Sequence, residues 1–228
     1  MKISKIKIYY IIFAIGIISL TTVGSTYAYF AAMASSENVI DTSSSAYSIS
    51  MIIEPIYHGF SLIPLNYDNT TKAINNKCHD KYNRGACLLY KIKVYDFNSN
   101  LKFISGHITA HTEINNLSYA LLAPKIGIED ENLCTNITIE NEESKEYCYY
   151  QEHTKFIKEE QQQLLNSYDV NNKDNVNLLL VIWLENENRS QNDDGIGTFS
   201  SSVTIETGNG GKIEGYINDA IEPSNNEG

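Results

Sequence analysis

The sequence predicts an all-β protein, an antiparallel β-sandwich of jelly-roll-like type with one helix, preceded by an N-terminal signal helix. Three observations carry this. Apolar residues alternate with polar ones, period two, in segment after segment. One stretch around residue 180 is apolar almost throughout. A helical spacing of apolar residues occurs once. A chain of 228 residues is long enough for one domain that buries a full core unaided.

The first element is the signal. Residues 1–7 hold Lys2, Lys5 and Lys7 and no acid, and residues 9–23 carry no charge. A membrane-spanning helix needs about 20 apolar residues, so the shorter run suits a signal h-region. Small residues then mark two cuts, Ala28 | Tyr29 after Thr26-Tyr27-Ala28, and a second after Ala34; an uncleaved anchor is the alternative. The organisation expected is a signal peptide over 1–28, a flexible small-residue leader over 29–45, a sandwich over 46–222 and a disordered tail over 223–228.

Strands follow. Tyr47, Ile49, Met51 and Ile53 alternate with Ser48, Ser50 and Ile52. Residues 60–65 form a short apolar run broken by Pro64, hence an edge or strand end. In residues 88–97, Leu88, Tyr90, Ile92 and Val94 share one face, with Lys91, Lys93 and Tyr95 on the other. In residues 101–114 the face is Ile104, Gly106, Ile108, Ala110, Thr112 and Ile114. With Asn98-Ser99-Asn100 between them, these two read as a hairpin. Residues 119–123 and 136–140 are further candidates. Residues 155–168, with Thr154 as N-cap, are rich in Glu and Gln, and place Phe156, Ile157, Leu164, Leu165 and Tyr168 on a broad stripe, which predicts the helix. Residues 176–184 read as a central strand buried on both faces. Phe199, Ser201, Val203 and Ile205 alternate again, Gly208-Asn209-Gly210-Gly211 is a turn, and residues 213–217 close the sheet.

Composition narrows the function. Net charge is −11, and −14 once the signal's three lysines are removed. That balance argues against nucleic acid and against binding an anionic membrane by charge, leaving membrane contact to the signal segment before cleavage. The four cysteines, Cys78, Cys87, Cys134 and Cys148, are expected to form disulfides in an exported chain. Nearest-neighbour pairing closes two short polar loops, each worth about 3 kcal/mol in the chain-entropy account. A zinc site from four thiolates lacks the C-x2-C spacing.

Catalytic motifs are missing, and no cofactor is expected. His107, His111 and Glu113 are weak metal candidates on one side of a strand. The two histidines stand about 13 Å apart on an ideal strand, too far to share an ion. Glu185, Glu187, Asp193 and Asp194 crowd one Asn-rich loop, without the EF-hand spacing. Asn69, Asn116, Asn136 and Asn188 each open an N-x-[ST] triplet, which chance explains in an Asn-rich chain.

The block Gly24-Ser25-Thr26-Tyr27-Ala28-Tyr29-Phe30 resembles the G-T-W/Y-A-x-F block of secreted proteins cut by the SipW-type signal peptidase, the group of TasA biofilm-fibre and camelysin proteins. The resemblance implies export with that peptidase as partner, cleavage at Ala28 | Tyr29 and a jelly-roll sandwich. It also implies a bacterial surface or extracellular-matrix protein of biofilm type, assembling into a homo-oligomer or fibre by lending the leader as a strand to the next subunit. Phe30, Met33, Val39 and Ile40 would then be the strand-donor anchors, although their spacing is not a clean alternation. A secreted ligand-binding or adhesin module, presenting Tyr147, Tyr149 or Tyr150, is the alternative. A camelysin-like metallopeptidase is the third reading, and the missing H-E-x-x-H motif speaks against it.

Overall fold

The structure is a computed structural model and describes residues 40–44, 49–59, 61–96, 102–125, 134–139, 143–170, 175–187, 191, 197–208 and 210–221. The signal, both cut sites, and the anchors Phe30, Met33 and Val39 lie outside these residues.

Two sheets face each other. The larger runs β1 (Ile40–Ser44), β2 (Ile49–Tyr57), β4 (Leu88–Asp96), β10 (Asn175–Glu185), β6 (Leu117–Pro124), β8 (Lys145–Lys155) and β7 (Cys134–Ile137). The short β3 (Pro64–Leu65) lies parallel to the end of β10, where β4 has stopped; the other pairings are antiparallel. The smaller sheet runs β12 (Lys212–Ile221), β11 (Gly197–Thr207), β5 (Phe103–Thr112) and β9 (Gln161–Asp169). The all-β sandwich is therefore the fold.

The alternations read from the sequence are the inward faces. Ile49, Met51 and Ile53 of β2, Leu88, Tyr90, Ile92 and Val94 of β4, and Phe199, Val203 and Ile205 of β11 meet in one core between the sheets. β10 sits between β4 and β6 and is buried on both sides. Its Leu178, Leu180 and Ile182 join the core between the sheets, while Leu179, Val181 and Trp183 enter a second core on the outer face. That outer core is roofed by residues 66–87, which contain a single α-helical turn-and-a-half, α1 (Thr70–Asn75), contributing Ala73 and Ile74.

Two readings need correction. First, residues 155–168 are not a helix. β8 runs through Thr154 to Lys155, and β9 begins at Gln161. β9 is an edge strand with register shifts opposite Gly106, and Ser167 adopts φ 53. These bulges break strict alternation and bury Leu164, Leu165 and Tyr168 together, which on paper imitates a helical stripe. Burying each leucine stabilises by about 1.5–3 kcal/mol, more than the few tenths per residue by which Glu and Gln favour helix. Secondly, β4 and β5 are not a hairpin. Each has an aliphatic face, and the two faces lie opposite one another across the core, so the strands belong to different sheets.

Tyrosine hydroxyls tie the two sheets together. On one side, Tyr119 of β6 donates to the Gln163 carbonyl of β9 at 3.1 Å, and Tyr168 of β9 donates to the Pro124 carbonyl of β6 at 3.1 Å. Tyr150 of β8 donates to the Asn166 carbonyl of β9. Burial pushes the Tyr119 phenol up to about 12, with a hydrogen bond to Thr154 opposing it. On the other side, Tyr90 of β4 donates to Asp219 Oδ2 of β12 at 2.6 Å. Burial first, then the Asp219 charge and hydrogen bond, hold the Tyr90 phenol well above its ordinary range, so it stays a donor. The Asp219 side chain is 4% exposed, and His58 Nδ1 stands 3.8 Å from it. Hydrogen bonding to Asp219, long at that distance, raises the His58 pKa above 6.5; burial opposes the rise and the carboxylate charge adds to it.

Three outcomes follow from this packing. Leu180→Ala should destabilise by about 2–5 kcal/mol in urea denaturation. Tyr90→Phe leaves a buried carboxylate without its donor and should cost about 1–3 kcal/mol in the same assay. Because the His58 pKa is raised on folding, its stabilisation is complete below pH 6.5 and is lost as pH rises through the folded value. The urea midpoint of the native chain should thus decline as pH rises above 6.5, and His58→Ala should flatten that decline. A midpoint that rises over the same range would contradict the pairing.

Candidate functional site

Two places on the larger sheet gather the residues of interest: its β1 edge and the rim of the outer core.

β1 is built from Ile40-Asp41-Thr42-Ser43-Ser44, the end of the segment read as a leader. It pairs antiparallel with β2 in unbroken register, from Ile40↔Ile53 to Ser44↔Ile49. Of the expected anchors, Ile40 alone is among the described residues, and it opens this strand. No described strand pairs with the far side of β1. Such an edge presents a row of backbone donors and acceptors to any strand of suitable register. Asp41 and the two serines bring little strand propensity of their own, so β1 depends on its pairing with β2.

At the rim of the outer core, Glu185 ends β10 and accepts hydrogen bonds from Trp183 Nε1 at 3.0 Å and His153 Nε2 at 2.7 Å. Tyr67, in the 3-10 turn before α1, stacks on His153 with centroids 5.4 Å apart and on Trp183 at 6.0 Å. Tyr149 meets Tyr67 edge-on at 5.6 Å, and its hydroxyl lies 3.0 Å from Thr70 Oγ1 and 2.8 Å from Thr71 Oγ1. Trp183 is fully buried. The cluster is therefore a fastening: it clamps residues 67–71 to the sheet, and the carboxylate is occupied by two protein donors. His153 and Tyr67 carry no sequence motif; what was legible was that Glu185 and Tyr149 stood in polar, Tyr-rich stretches.

The other sequence candidates separate. The disulfides join Cys78 to Cys87 and Cys134 to Cys148, the second directly across the β7–β8 pair. His107 and His111 lie on the outward face of β5, opposite Thr204 and Ser200 of β11. His107 Nδ1 is buried without a hydrogen-bond partner, His111 and Glu113 are exposed, and no three His, Cys, Asp or Glu converge on a metal position among the described residues. Glu187 pairs with Lys155 at 3.5 Å and its backbone N–H donates to Gln191 Oε1 at 2.9 Å; Asp193 and Asp194 lie outside the described residues. Tyr147 and Tyr149 face the outer core, and Tyr150 packs against the inner one. None of the three is an exposed aromatic. Among the described residues no helix is long and apolar enough to cross a membrane.

No family model matches the chain, and no curated protein matches it. Among solved structures it is similar to Cep-1 of C. elegans, the ortholog of human p53 described through its DNA-binding domain, at 12% identity and a TM-score of 0.29, over 60% of this chain and 72% of that one. BcpA, the major pilin subunit of Bacillus cereus, aligns at 12% identity and a TM-score of 0.28, over 75% of this chain and 41% of that one. ACE19, the collagen-binding subdomain of the Enterococcus faecalis surface protein ACE, aligns at 12% identity and a TM-score of 0.26, over 60% of this chain and 87% of that one. None of these three is a TasA or camelysin protein.

Proposed function

We propose that this chain is an exported structural subunit of a bacterial surface or extracellular matrix, and that copies associate through the β1 edge. The observation that carries the reading is the place of Ile40–Ser44: the end of the leader forms a polar edge strand on a sheet whose next strand, β2, is core. A second copy's leader offers the same sequence to the same edge, and the backbone pairing that holds β1 in place is chemically indifferent to which copy supplies it. The signal block and h-region support export, and two disulfides suit an oxidising compartment. The acidic charge keeps single copies soluble until strands pair.

The test compares the purified chain beginning at residue 29 with a version beginning at residue 46. The longer form should assemble into fibres or oligomers visible by electron microscopy and sedimentation; the shorter should stay monomeric while keeping a β circular dichroism spectrum. Assemblies from the shorter form, or none from the longer, would refute the proposal.

A further inference from the structure

The loop closed by Cys78 and Cys87 is braced by a network of internal hydrogen bonds. Asp80 organises it. Its Oδ1 accepts the backbone N–H groups of Tyr82 at 2.8 Å and Arg84 at 2.9 Å. Its Oδ2 accepts the Arg84 guanidinium at two points, Nε at 2.9 Å and Nη2 at 2.7 Å. Asn76 Nδ2 donates to the carbonyls of His79 at 2.9 Å and Asp80 at 3.1 Å, and the Ala86 N–H closes the base on Cys78 O at 2.8 Å. This network holds Asn83 in the left-handed region, φ 62. Burial alone would raise the Asp80 carboxyl, but the Arg84 and Tyr82 hydrogen bonds and the Arg84 charge hold it below its usual value of 3.8.

What the braced loop displays is Tyr82, 67% exposed. Lys81 Nζ lies 4.8 Å from its ring centroid and Arg84 Cζ lies 5.3 Å away. A hydrogen-bonded loop holding an aromatic ring largely in water, with two cations close to it, has the composition of a recognition element rather than of packing. Beside it opens a pocket of about 590 Å³, within the size of small-ligand sites. Its apolar lining comes from Leu65, Ala73 and Ala86, and its polar lining includes Lys72, Lys81 and the Asn69 amide. The single carboxylate of the lining, Asp80, is already neutralised by Arg84. The site is thus locally cationic on a chain of net charge −11.

We infer that this loop and pocket bind an acidic saccharide. The C–H face of a sugar ring suits the open face of Tyr82 and the apolar lining, its hydroxyls suit the amide, and its carboxylate suits the Lys72 and Lys81 ammonium groups. A fatty acid would leave most of its chain in water in a pocket this open. The inference stands whether or not the chain assembles.

The experiment titrates the full chain by calorimetry with oligogalacturonate, with neutral maltohexaose and polyglutamate as comparison arms. Oligogalacturonate should bind, more weakly as salt rises. Tyr82→Ala and the double change Lys72→Ala with Lys81→Ala should each weaken it by about tenfold or more. Tyr216→Ala, which removes another exposed tyrosine, on β12, should leave it unchanged. Near-ultraviolet circular dichroism checks that each variant keeps its fold. The inference is overturned if oligogalacturonate does not bind, if maltohexaose binds equally well, if polyglutamate binds tighter, or if a folded Tyr82→Ala protein binds as the native chain does.

Discussion

The structure depends on one constraint: β10 must be dry on both faces. Its alternate side chains are all large and apolar from Leu178 to Leu184. A sheet with a strand of that kind at its centre cannot leave one side to solvent, as antiparallel sheets commonly do. The smaller sheet covers one face. The other face needs a second cover, and the chain supplies it from residues 66–87, whose Ala73 and Ile74 pack in one cluster with Leu179, Val181 and Trp183 of β10. One disulfide, Cys78–Cys87, closes the excursion on itself, and the other, Cys134–Cys148, ties β7 to β8 at the edge of the larger sheet. A short excursion with one helical turn-and-a-half has little stability of its own, so cross-links and the Glu185 fastening take the place that a larger core would fill.

The same logic explains the tyrosines. A sandwich of two sheets is open along its sides, where backbone carbonyls of edge strands come close to the core. A tyrosine fills the gap with an apolar ring and ends on a hydroxyl that satisfies a polar group of the opposite sheet. Tyr119, Tyr150 and Tyr168 do this beside β9, and Tyr90 does it beside β12. The Asp219 carboxylate is the costly member of the set. Its burial is tolerable because Tyr90 donates at 2.6 Å and His58 places a titratable cation nearby.

Where a physical pattern is local, the sequence shows it. The apolar run of β10, the two faces of β4 and the alternation in β11 each sit within one strand, and each lies where expected. β9 was illegible because its register shifts fall opposite Gly106 of β5, a residue of another strand, and cannot be read from the sequence of β9 itself. The assignment of β4 and β5 to different sheets was illegible because two full apolar faces do not say whether they lie side by side or opposite. α1 was illegible because six residues are too few to carry a stripe. At the rim, Glu185 and His153 are brought together only by the ladder from β10 through β6 to β8. The Cys78–Cys87 loop was partly legible: its cysteine pair marks a closed loop, but nothing in the spacing says that Asp80 would bind Arg84 or that Tyr82 would stand exposed.

Amide hydrogen exchange tests the constraint on β10 most directly. If both faces are covered as described, the amides of Leu178 to Trp183 form the slowest set in the chain and exchange only when the whole domain unfolds. If they instead exchange as readily as those of the edge strands β1 and β7, the central strand is not enclosed and the account fails.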